Sequence, residues 1–97
     1  MVKSFEDCIR CFEVYRKILK EINIIETEKE YPEIRWEAQD VVIEGLDALR
    51  DLRCLSGSAY EELYENARRG KYSTLPDAIE EEILKACRSV GKCQCKR

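Results

Sequence analysis

Apolar residues return every three or four positions across four segments of this chain, and the period-two alternation of a strand occurs in none of them. In the first segment Phe5, Cys8, Phe12, Tyr15, Leu19 and Ile22 trace a seam, which Cys11, Ile18 and Ile25 widen on one side. Ser4 with Asp7 forms a capping box, so the spacing predicts a helix over about 4–25. Pro32 suits the first turn of a second helix, predicted over about 32–55. Its stripe is Ile34, Ala38, Val41, Gly45, Ala48, Leu52 and Leu55, with Val42, Leu46 and Leu49 beside it.

Ser56-Gly57-Ser58 then breaks the chain, and Ser58 with Glu61 opens a short third helix over about 58–69 that Gly70 ends. Thr74 with Asp77 opens a fourth over about 74–90, with Pro76 in its first turn. Leu75, Ile79, Ile83, Ala86, Cys87 and Val90 face inward, and Gly91 is expected to stop this helix. Short connections make neighbouring helices antiparallel. The expected fold is therefore all-α: an up-down-up-down four-helix bundle with a short third helix and a cysteine-containing C-terminal tail, 91–97, in one domain spanning 1–97.

That topology gives the six cysteines a common address. The start of the first helix, the end of the second and the end of the fourth share a pole, which gathers Cys8, Cys11, Cys54, Cys87, Cys93 and Cys95 at one end. Disulfides are the leading reading of this cluster. Depth along the helices pairs Cys8 with Cys87, and would leave Cys11 and Cys54 to the tail cysteines. The alternative is a metal site, in which Cys8, Cys11, Cys93 and Cys95 supply four thiolates to zinc or an iron–sulfur cluster. A redox-active C-x-x-C at a helix N-terminus belongs to the same class, although the sheet that carries such motifs in thioredoxin-type proteins is missing here.

Glu30, Glu33, Glu37, Asp40, Glu44, Asp47 and Asp51 step by three and four down the second helix, nearly opposite its apolar stripe, as a solvated face does. A magnesium site is the sharper use of so many carboxylates. Glu30-x-x-Glu33 followed by Glu44-x-x-Asp47 resembles the paired acidic motifs of MazG-type all-helical nucleotide pyrophosphohydrolases, a resemblance that implies a divalent-metal phosphohydrolase. Histidine is absent from the sequence, so no Ser-His-Asp or Cys-His arrangement can be built.

The apolar residues exceed what one stripe per helix needs. Ile18, Ile25, Val42, Ile43 and Gly45 are read as a self-association surface, with Gly45 allowing a second backbone to approach; the alternative is a broader intramolecular core with the short third helix tucked between. Trp36 and the tyrosines read as core and rim packing. The expected function is accordingly a non-enzymatic protein-interaction module, a homodimer, with no resident cofactor.

Composition refines this only slightly. Charged residues reach 38% while Asn23, Asn66, Gln39 and Gln94 are the only amides, a bias that resembles hyperthermophile proteins. Intracellular proteins of such organisms do carry disulfides. No stretch is apolar enough to cross a bilayer and the N-terminus is charged, so a cytoplasmic location is expected and a membrane partner is not. A net charge of −3 disfavours nucleic acid, and the cluster Arg68-Arg69-Gly70-Lys71 and the tail from Lys92 read as cationic helix ends.

Overall fold

The computed structural model describes the backbone of residues 4–95 and the side chains of residues 4–88. Four helices follow one another: α1 (Phe5–Thr27), α2 (Pro32–Asp51), α3 (Gly57–Arg68) and α4 (Leu75–Cys95). α1 packs against α2 and α4, and α3 packs against the same two, which closes a four-membered ring of neighbours. The ends of these helices follow local chemistry. Ser4 caps α1, its hydroxyl accepting the Asp7 N–H at 3.1 Å. Pro32 occupies the first turn of α2. The cap of α3 is Ser56 rather than Ser58, its hydroxyl accepting from the Ala59 N–H at 3.2 Å.

Two boundaries differ from the sequence reading for identifiable reasons. α2 ends at Asp51 and not near Leu55, because Arg53 adopts the left-handed conformation (φ 67°) and the Cys54 N–H turns back to the Leu49 carbonyl at 2.9 Å. This turn points Cys54 and Leu55 into the core, where both are buried. At the other end of the chain, α4 passes through Gly91 and stays helical to Cys95. A single glycine weakens a helix by only about 1 kcal/mol and does not have to stop it. Of the expected 91–97 tail, residues 96–97 lie outside the described ones.

The core is built from Cys8, Cys11, Ile18, Ile22 and Ile25 of α1; Ala38, Val42, Leu46 and Leu49 of α2; Leu63 and Ala67 of α3; and Leu75, Ile79 and Ile83 of α4. No polar or charged side chain is buried among the described residues. Both long N-terminal helices are rotated relative to the sequence reading. Cys8, Ile22, Ala38 and Leu55 of the expected seams are buried, but the residues expected to widen the stripes are buried with them, while Phe5 and Ile34 are exposed.

This corrects the proposed self-association surface. Ile18, Ile25 and Val42 are buried within the chain itself, and Ile43 is half-buried against the same core. Gly45 does mark a close approach, but to the chain's own α1. A Cβ at position 45 would stand 2.6 Å from Ile18 Cγ1 and 2.8 Å from its Cδ1. The α1/α2 crossing therefore depends on the missing side chain.

Two substitutions test these contacts. Gly45→Ala gains about 1 kcal/mol of helix propensity but overpacks a fully buried Ile18, at a cost of about 1–3 kcal/mol. We expect net destabilisation in denaturant titrations, and a reversal to net stabilisation when the same change is made in an Ile18→Ala background. An unchanged sign would detach Gly45 from Ile18. Arg53→Gly relieves a left-handed arginine and should stabilise by roughly 0.5 kcal/mol, measured the same way.

Candidate functional site

The cysteines of the described residues meet at the pole where α1 starts and α2 ends. α1 places Cys8 and Cys11 on its inner face one turn apart, and each meets a different helix. Cys8 stands opposite Cys87 of α4, with Cα atoms 5.9 Å apart. Cys11 stands opposite Cys54, just beyond α2, with Cα atoms 6.6 Å apart. Both separations fall inside the range a disulfide spans, and both sulfur pairs are at bonding distance. Cys8, Cys11 and Cys54 are buried and Cys87 is half-buried, so the pairs form the capping layer of the core.

The second pair corrects the sequence reading, which assigned Cys11 and Cys54 to the C-terminal cysteines. The left-handed turn at Arg53 makes the difference, since it brings Cys54 inward to the level of Cys11. In the metal alternative Cys8 and Cys11 would share an ion with Cys93 and Cys95, whereas each of the first two stands opposite another cysteine. α4 remains helical, so its rise carries Cys93 about 9 Å and Cys95 about 12 Å beyond Cys87 along the axis. Cys11 lies one turn the other way, because α1 and α4 are antiparallel. The side chains of Cys93 and Cys95 lie outside the described residues.

The acidic line of α2 is a solvent face. Glu30, Glu33, Glu37, Asp40, Glu44 and Asp51 are exposed, and among the described residues no three of them gather as a metal site would need. Asp47 is half-buried and accepts a hydrogen bond from the Tyr60 hydroxyl of α3. That bond first, and partial burial second, raise the Tyr60 phenol above its usual pKa. Arg50 lies 4.4 Å over the same ring, so Asp47, Arg50 and Tyr60 fasten α3 to α2.

Flanking the Cys8–Cys87 pair is an apolar strip that sequence reasoning missed. Phe5 is 53% exposed, Ile9 46% and Leu84 52%. Cys87 meets α1, and Tyr15 of α1 has its phenol pKa raised by burial and then by Glu80 and Asp77 of α4. Leu84 stands one turn before Cys87 on α4, and Phe5 and Ile9 stand within one turn of Cys8 on α1. Ile9 lies off the seam in the sequence pattern as well, whereas Phe5 was read as part of the seam and is shown to point outward only by the rotation of α1.

If the two cysteine pairs are bonded, they close loops with sequence separations of 79 and 43. Chain entropy values these at about 4–5 and about 4 kcal/mol. Reductant should lower the melting temperature by more than about 15 °C, given that ~1 kcal/mol moves a domain of this size by several degrees. Glu37→Ala, on the solvent face, should change it very little. A melting temperature indifferent to reductant would mean that the four sulfurs are free thiols.

Comparison with protein-family models, with curated proteins and with solved structures finds no match to this chain.

Proposed function

We propose that this chain is a non-enzymatic protein-interaction module, cross-linked by the disulfides Cys8–Cys87 and Cys11–Cys54, that pairs with a second copy of itself through the apolar strip beside them. The observation that carries the reading is that Phe5, Ile9 and Leu84 are exposed within one turn of Cys8 or Cys87, at the pole that holds both cysteine pairs. Cross-links there hold α1, α2 and α4 in fixed register, so the strip is presented without an ordering cost at the moment of binding. Apolar side chains exposed together on such a surface are stabilised by a partner of the same character. A second copy offers that character wherever the chain itself is present, and a two-fold axis through the strip matches Phe5, Ile9 and Leu84 against themselves. The setting we propose is the cytoplasm of a hyperthermophile, in keeping with the scarcity of amides and the abundance of charge.

Sedimentation of the unreduced protein at tens to hundreds of micromolar should report twice the chain mass of 11.4 kDa. Ile9→Glu and Leu84→Glu each place a carboxylate on the strip and should return the protein to monomer. Since both residues are exposed, the melting temperature of the monomeric fold should hardly change. A wild-type monomer across that range, or a dimer that both substitutions leave intact, would overturn the proposal.

A further inference from the structure

The opposite pole of the bundle is open, and its opening has a chemistry of its own. α3 has 12 residues beside the 20 of α2 and the 21 of α4. Its last turn is fastened at Gln39, whose amide donates to the Ala67 carbonyl at 2.8 Å and to the Arg68 carbonyl at 3.3 Å. Gly70, in the left-handed conformation (φ 76°), then turns the chain away, with the Lys71 N–H closing on the Asn66 carbonyl at 2.8 Å. The first turns of α2 are therefore left uncovered by α3. A groove of about 980 Å³ remains between the α1–α2 connection, the start of α2 and the α3–α4 connection.

The charge of this groove is opposite to that of the chain. Lys29, Arg35, Arg68, Arg69 and Lys71 line it, against Glu26 and Glu28, in a protein of net charge −3. Glu28 is already engaged, its carboxylate accepting the N–H groups of Glu30 and Tyr31 at 2.9 and 3.2 Å. Arg69 pairs with Glu65 at 3.0 Å. Among the described residues, no carboxylate stands within ion-pairing distance of Lys29, Arg35, Arg68 or Lys71. Helices α2 and α4 both begin at this groove, so the positive ends of two helix dipoles add to the cations.

The groove also carries an aromatic platform. Trp36, expected from the sequence to sit in the packing, is 65% exposed and lines the opening. A large ring held on a helix and left in water beside unpaired cations is suited to stacking on a planar group attached to an anion. Tyr72 forms part of the floor, where burial raises its phenol pKa and Arg35 draws it partly back down.

We infer that this groove binds a nucleotide unit, with the phosphates held by Arg35, Arg68 and Lys71 and the base stacked on Trp36. The chemistry is common to a free nucleotide and to a single nucleic-acid strand. The negative charge of the whole chain does not prevent this, because the field at the groove is set by the charges within roughly a Debye length of it. The remaining carboxylates of α2 outside the groove would repel a duplex laid along the bundle, which confines the ligand to the pole.

Trp36 is the chain's only tryptophan, so its fluorescence reports the site directly. The unreduced protein is titrated with adenosine triphosphate, with a ten-nucleotide single strand and with inorganic tripolyphosphate, each at low and high salt. Quenching by the nucleotide or by the strand, weakened by salt and not reproduced by tripolyphosphate, is the expected result; the tighter of the two identifies the source. Arg68→Glu and Lys71→Glu, both at exposed positions, should weaken that binding by about tenfold or more, whereas Lys17→Glu on the outer face of α1 should leave it unchanged. Calorimetry with Trp36→Ala should show weakened binding of the nucleotide and unaltered binding of tripolyphosphate. The inference is overturned if neither nucleotide nor strand quenches at millimolar concentration, if tripolyphosphate binds as tightly as either, or if Lys17→Glu weakens binding as much as Lys71→Glu.

Discussion

Cys8 and Cys11, one turn apart on α1, set the register of the other long helices. Cys8 faces α4 and Cys11 faces the end of α2, so a single helical turn fixes the height of both neighbours relative to α1. A domain of this length has a thin core and little stability in hand. Its buried residues are aliphatic apart from three cysteines and Tyr72, and among the described residues no polar network is buried to specify how the helices slide against one another. Register must come from shape and from the cysteines. Shape is supplied by the Ile18 side chain seated over Gly45, and the two close cysteine pairs lie beyond it.

From that fastening follows the difference between the two ends of the bundle. At the cysteine pole the helices are drawn together, and the residues crowded out of the seam, Phe5, Ile9 and Leu84, become an apolar strip. At the far pole α3 stops short and nothing draws the helices together, which leaves the cationic groove around Trp36. One end carries the cysteine pairs, with a smaller groove beside Cys54 lined by Arg50, Arg53, Glu82 and Lys85; the other is open and positively charged. The acidic face of α2 lies between them in solvent.

Much of this was legible in the residues. Helical periodicity and the Ser4 cap led to the correct number and order of helices, and counting cysteines by pole placed Cys8 opposite Cys87. What failed was rotation. A stripe as wide as that of α1 is compatible with more than one inward direction, and the choice depends on Ile18 meeting Gly45, a contact between segments distant in sequence. Reading that glycine as a site of intermolecular approach moved Ile25, Val42 and Ile43 to a surface they do not occupy. The pairing of Cys54 was missed because it turns on a left-handed arginine, a conformation that sequence assigns first to glycine or asparagine. Trp36 was assigned to packing because the early end of α3 could be read at Gly70, but not its consequence for the first turns of α2.

Peptide mapping of the protein digested without reductant tests the two cross-links from α1 directly. The account predicts one linked peptide pair joining Cys8 to Cys87 and another joining Cys11 to Cys54, with Cys93 and Cys95 open to alkylation. Recovery of Cys8 and Cys11 in peptides linked to Cys93 or Cys95, or as unlinked thiols, would contradict it.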